Sequence, residues 1–117
     1  MQTLLAPKPI TVIQPLYHLN AATSVEFGQQ VTTAIETEGI VAVLVDLGAV
    51  TFIDSAGLIA LVSGLKQAKK MGRRFSICSV CTQIRMVLEL SQLDRVFEIF
   101  ESVESFEAAN SRAPNHW

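Results

Sequence analysis

The run Val41-Ala42-Val43-Leu44-Val45-Asp46-Leu47 constrains this chain more than any other feature. It is apolar at every position but Asp46, and it is rich in β-branched residues. A strand with one wet face would alternate polar and apolar residues. This one does not, so both of its faces must be covered. Strands of that kind occur mainly in parallel sheets flanked by helices, so the remaining sequence should supply helices between strands.

It does. Residues 10–17 (ITVIQPLY) read as a strand that Pro15 ends or confines to a sheet edge. Asn20 or Thr23 then caps a helix on which Phe27, Val31, Ala34 and Ile35 recur at helical spacing, with Gly39 as its stop after Glu38. After the 41–47 strand, residues 54–72 form the clearest helix, with Leu58, Leu61, Val62, Leu65 and Ala68 on one face. Lys66, Lys69, Lys70 and Arg73 crowd its C-terminal end, where cations suit the helix dipole, and Gly72 is placed to terminate it. Residues 74–80 read as a strand, 82–90 as a short helix carrying Ile84, Val87 and Leu88 inward, 96–100 as a last strand and VESFEAA as a terminal helix. The expected fold class is α/β: a mixed, mostly parallel sheet of four to five strands flanked by helices, with the first strand free to join antiparallel at an edge. The whole chain, 1–117, is expected to be one domain with its core over about 10–109 and a frayed tail at 110–117.

Composition narrows the function. Nine Lys+Arg against eleven Asp+Glu give a net charge of −2, which leaves no cationic excess for nucleic acid. No apolar stretch approaches the ~18 residues of a membrane span. Pro7, Pro9 and Pro15 interrupt the N-terminal segment, which does not read as a secretory signal. Cys78 and Cys81 are too few for a disulfide framework, so the expected compartment is a reducing cytoplasm.

The turn Thr51-Phe-Ile-Asp-Ser-Ala-Gly-Leu58 opens the best helix. Functional groups in α/β sheets gather at such strand ends. Asp54 or Ser55 can serve simply as an N-cap, with Gly57 permitting close packing. Ser55 also reads as an exposed hydroxyl that a kinase can reach. A phosphate there would bring roughly −1.5 to −2 charge at neutral pH beside Asp54, and the free amides of the helix start could accommodate it. The surface would change while the core stayed put. On the helix wheel Ile59, Ser63, Lys66 and Lys70 lie on Ser55's side, away from the core stripe, and make a docking face with Ile59 as its apolar anchor. Ala56, Gly57, Ala60 and Gly64 form a strip of small residues that admits a neighbouring element closely.

Other chemistries fit poorly. A nucleophile elbow is G-x-S-x-G, and Ile53 stands where the first glycine belongs. The only histidines, His18 and His116, lie in the first loop and the tail. Asp46 ends a strand as an aspartyl-phosphate acceptor would, yet residues 13–20 hold no acid to bind Mg²⁺. Cys78-x-x-Cys81 is a single pair where zinc wants about four ligands, so both cysteines read as small buried hydrophobes. No catalytic residue and no cofactor or metal is expected.

The segments VAVLVDL, FIDSAGL, KKMGRRFSIC and SQLDRVFEIFES, in this order and spacing, resemble the STAS domain, and more narrowly the bacterial anti-sigma factor antagonists. The resemblance spans about residues 10–109, with Asp54-Ser55-Ala56-Gly57-Leu58 as its strongest motif and Leu93-Asp94 in support. It implies a mechanism. The serine after the Asp is phosphorylated by a partner kinase of the histidine-kinase-like ATPase type, often itself the anti-sigma factor, and a PP2C-type phosphatase reverses this. The unphosphorylated form binds the partner. Carried over, Ser55 is the phosphoacceptor, and Asn20, Asp54, Ser55, Ala56, Gly57, Ile59, Ser63 and Lys66 are the expected partner-binding residues. The chain departs from the family where Tyr17-His18-Leu19-Asn20 replaces the usual G-x-L-D, keeping the shape and losing the charge. That leaves open a second reading, a structural STAS subunit of a signalling or transport assembly that is never phosphorylated.

Overall fold

The computed structural model describes residues 9–111. Four strands, β1 (Ile10–Ile13), β3 (Ala42–Asp46), β5 (Arg74–Cys78) and β6 (Glu98–Phe100), form one sheet in the order β1-β3-β5-β6. Between β1 and β3 lie β2 (Tyr17–Leu19) and α1 (Ser24–Glu36). Between β3 and β5 lie β4 (Val50–Ile53) and α2 (Ser55–Lys70). Helix α3 (Thr82–Leu90) and a short 3₁₀ turn (Leu93–Arg95) lead into β6, and α4 (Val103–Ser111) ends the described chain.

Strand β3 behaves as its sequence requires. Val43 and Val45 join the main core with Val31 and Ile35 of α1, Leu61 and Leu65 of α2, and Ile84 and Leu88 of α3. Ala42 and Leu44 point the other way, into a smaller cluster with Cys78 and Phe106 of α4. Both faces are therefore dry, which explains the absence of alternation. Each fully buried Leu or Val stabilises the fold by roughly 1.5–3 kcal/mol relative to an exposed one.

Every pairing in the main sheet is parallel, including β1 with β3 (Ile10 opposite Ala42 through Ile13 opposite Val45). The α/β expectation holds, and the antiparallel first strand does not. Helix α1 carries the chain back along the sheet between β1 and β3, so the next strand must run in the same direction. The first strand is also shorter than 10–17. It ends at Ile13, and after Pro15 the chain re-enters extended structure as β2, which pairs in parallel with β4 in a separate ribbon. Strand β4, unforeseen as an element, lies directly before the Asp54 turn.

The inner face of α2 is centred on Gly57, Leu61, Gly64, Leu65 and Ala68 rather than on Leu58 and Val62, which are only half-buried. The small residues cause this. A β-carbon on residue 64 would meet Val31 Cγ1 at 2.8 Å and the Phe75 ring at 3.1 Å, so Gly64 lets α1 and β5 close on the helix. Polar contacts tie the same pair of helices: Thr32 Oγ1 to Gln67 Oε1 at 3.3 Å, and Gln67 Nε2 donating to Glu36 at 3.1 Å.

Candidate functional site

The site is built where β2, β4 and the starts of α1 and α2 converge. Asp54 is the N-cap of α2. Its backbone is extended, and its Oδ1 accepts the amide of Gly57 at 3.1 Å, satisfying one of the donors a helix start leaves open. The second carboxylate oxygen accepts the Ala21 amide at 3.2 Å, and the Asp54 amide donates to Leu19 O at 3.1 Å. One residue thus caps its own helix and fastens the first loop to it. Of the two cap candidates, the structure gives this role to Asp54 and leaves Ser55 as the first helical residue.

The side chain of Ser55 is therefore free. It is exposed, and among the described residues it makes no hydrogen bond. Its hydroxyl stands at the positive end of a sixteen-residue helix that holds no acidic residue in its first turn.

Asn20 organises the other side. Its Oδ1 accepts the amides of Ala22 at 3.0 Å and Thr23 at 3.1 Å, and its own amide donates to Thr23 Oγ1 at 3.0 Å. Thr23 stands at the N-cap position of α1 but makes no side-chain cap, donating instead to His18 O at 2.9 Å. The task performed at position 20 is amide acceptance, which Asn does as well as Asp. That is why the departure from G-x-L-D leaves the loop intact.

The remaining expected residues spread along α2. Ile59 is 65% exposed, Ser63 and Lys66 are exposed, and Ala56 is half-buried. Gly57 does not belong to the outer surface: it is buried against Leu19 O and Ile53. Its contribution is spacing. Beside Ser63 a groove of about 440 Å³ runs between α1 and α2, lined in part by Val25, Gly28, Thr32 and Ala60.

Two features of the site went unread in the sequence. The β2–β4 ribbon presents Tyr17, His18 and Phe52 to solvent, with His18 and Phe52 edge to face at 6.0 Å. The signal was there in Val50-Thr-Phe-Ile53, a β-branched and aromatic run. The Ala21 amide, held by Asp54, has no signature in a sequence because it is a backbone group.

Elsewhere the candidates stay apart. Asp46 accepts the Gly48 amide at 2.9 Å and Gln14 Nε2 at 3.3 Å, and so closes its own turn. Cys78 is buried, and burial pushes its thiol above the usual range. Cys81, read as buried, is half-buried and donates to Val50 O at 3.7 Å. Among the described residues no group of His, Cys, Asp and Glu could hold a metal ion, and no helix is long and apolar enough to cross a membrane. His116 lies outside the described residues.

Comparison with known proteins agrees with this architecture. The chain superposes on a putative anti-sigma factor antagonist from Thermotoga maritima with a TM-score of 0.80, at 24% identity and 88% coverage of both chains. It superposes on the anti-sigma factor antagonist SpoIIAA in its unphosphorylated form with a TM-score of 0.75, at 15% identity, over 97% of this chain and 98% of that one. A sulfate transporter family protein from Wolinella succinogenes matches with a TM-score of 0.76, at 16% identity, over 90% of this chain and 87% of that one. No curated protein matches in sequence. At these identities the likeness speaks for the fold, and the sequence profile of the STAS domain matches residues 4–106. With the profile spanning most of its length, the chain belongs to the STAS domain family.

Proposed function

We propose that this protein is a phosphorylation-switched binding module of the anti-sigma-factor-antagonist kind, without catalytic activity of its own and working in the cytoplasm. The observation that supports this most is the state of Ser55: exposed, unbonded, and relieved of capping duty by Asp54. A histidine-kinase-like Ser kinase, itself the anti-sigma factor or its counterpart, transfers the γ-phosphoryl of ATP to Ser55 Oγ and releases ADP. A PP2C-type phosphatase hydrolyses the phosphoester. Asn20, Asp54, Ala56 and Gly57 hold the loop and helix start in place, while Ser55, Ile59, Ser63 and Lys66 face the partner.

The switch is local. The two carboxylate oxygens of Asp54 are already engaged with backbone amides, so the phosphate would lie beside a fixed negative charge. Its charge would add to that of Asp54 and make the helix start strongly anionic without touching the core, and a partner surface fitted to the free hydroxyl would be repelled.

Incubation with such a kinase and ATP is expected to add about 80 Da at Ser55, one phosphate. Ser55→Ala should stay folded, take no label and remain in the partner-binding state, and Ser55→Asp should weaken that binding. Label at another residue, or none, would overturn the reading.

The likeness to a sulfate transporter family protein favours one alternative, a structural STAS subunit that uses the same face without phosphorylation. Partner binding indifferent to Ser55→Asp would select it.

A further inference from the structure

The outer face of α2 continues well past Ser55, and its far end is cationic. Lys66, Lys69 and Lys70 are all exposed, and they are the only lysines among the described residues. Helix α2 carries no Asp or Glu, in a chain whose net charge is −2. The nearby polar groups are engaged elsewhere. Arg73 donates to Ile35 O at 3.0 Å and to Thr37 O at 3.4 Å, while Glu36 accepts from Gln67. None of the three lysines forms an ion pair among the described residues.

Position on the helix turns these lysines into part of a strip. At 100° per residue, Ser55, Ile59, Val62, Lys66, Lys69 and Lys70 fall within about 100° of arc, opposite Leu61, Gly64 and Ala68. The strip runs from hydroxyl to apolar anchor to cations over about 22 Å, the rise from Ser55 to Lys70.

We infer that the partner's docking surface presents an apolar pocket for Ile59 and, roughly 10 Å further along, an acidic cluster for Lys66, Lys69 and Lys70. This rests on the reading of α2 as the partner-binding face and adds the chemistry of the partner. Protein fits better than nucleic acid: the patch has three cations, no arginine, and an exposed isoleucine two turns before them. The lysines act independently of the switch. Lys66 lies about 16 Å from Ser55 along the helix, twice the ~8 Å screening length at physiological salt, so a phosphate there leaves their charge standing. They steer the encounter, and Ser55 decides whether it holds.

The probe is a helical peptide of about twenty residues in which a leucine precedes a cluster of three glutamates by two turns. Titrated into the isotope-labelled, unphosphorylated chain, it should shift the backbone amides from Ser55 to Lys70. Its affinity should fall roughly tenfold between about 50 and about 300 mM salt. The K66E/K69E/K70E variant, altered only at exposed positions, should lose the peptide and gain one with lysines in place of the glutamates. Equal binding after Leu→Ser in the peptide would mean charge attraction alone and would overturn the inference. So would tighter binding of a single-stranded oligonucleotide or of anionic vesicles. No kinase enters this titration, so its failure leaves phosphorylation of Ser55 standing, and failure to label Ser55 leaves the titration standing.

Discussion

The backbone carbonyl of Leu19 occupies the space beside Gly57 that a β-carbon would need. A side chain at 57 would collide with that oxygen and would meet Ile53 Cγ1 at 2.8 Å. Both obstacles are held: Leu19 O accepts the Asp54 amide, and Ile53 is buried in β4. Glycine at 57 is therefore a condition for the first loop to touch the start of α2.

Gly57→Ala should destabilise the protein by about 1–3 kcal/mol, the usual cost of forcing a methyl into a packed site. Gly28→Ala is the matched control. It lies in α1 with nothing within 4 Å of the added carbon, and it should gain about 0.5–1 kcal/mol from helix propensity. Urea denaturation of the two variants should move the midpoint in opposite directions.

Asp54 and Asn20 should respond differently to loss of their acceptor oxygens and to a change of charge. Asp54→Ala removes acceptors from both Gly57 and Ala21 and should cost about 1 kcal/mol or more. Asp54→Asn keeps one carbonyl oxygen for the cap and should cost less. Asn20→Asp keeps both of its amide acceptances and should leave stability nearly unchanged, whereas Asn20→Ala should lose roughly 1 kcal/mol. Equal losses from Asn20→Asp and Asn20→Ala would show that position 20 does not work through its oxygen.

What the sequence disclosed depended on how many residues carried each signal. Strand β3 was legible because six of seven consecutive positions agree, and α3 came out at its observed limits because Ile84 and Leu88 repeat between clear breaks. Strand β4 was missed because Leu47-Gly48-Ala49 alone separates it from β3, so the stretch read as the approach to a turn. The first strand was drawn too long because Ile10-Thr-Val-Ile13 and Leu16-Tyr17, on the two sides of Gln14-Pro15, are both largely apolar, although the two stretches pair with different partners. The inner face of α2 was misplaced by part of a turn. Leu58 and Val62 dominate the apolar periodicity by size, whereas Gly57 and Gly64 set the approach. At the site, Ser55, Asp54 and Asn20 were all marked, but their division of labour depends on the Ala21 and Leu19 backbone groups, which only a fold brings together.

The two cysteines should separate cleanly by reactivity. Cys78 has no exposure, and burial pushes its thiol up, away from the reactive thiolate. Cys81 lies at the N-cap of α3 and is half-buried. Under native conditions iodoacetamide should modify Cys81 slowly and leave Cys78 untouched until the protein is unfolded, as peptide mapping by mass spectrometry would show. Early labelling of Cys78 would contradict the packing of α4 over the sheet.

The acid limb of stability should be set partly at the edge strand β6. Glu98 faces Arg74 at 2.6 Å, with Arg74 Nε donating to its other oxygen at 2.8 Å and Ser76 Oγ donating at 2.6 Å. Its carboxyl is held below the ordinary value, first by the hydrogen bond from Arg74 and then by that from Ser76, against the opposing cost of burial. The guanidinium also lies over the Phe100 and Phe106 rings at 5.6 and 5.4 Å, which ties α4 to the pair. A carboxyl whose folded pKa is depressed binds fewer protons than the unfolded chain does, so it contributes stability above the unfolded value of about 4.3. That contribution is lost as pH falls from there through the folded value. Glu98→Gln removes it at every pH, so the variant should be less stable than the parent at neutral pH. The gap should narrow steadily below about pH 4, and thermal denaturation at a series of pH values would measure it. The pair is partly exposed, so the neutral-pH difference should be modest and should shrink further in high salt. A gap that stayed constant down to the acid transition would mean that Glu98 acts through packing rather than charge.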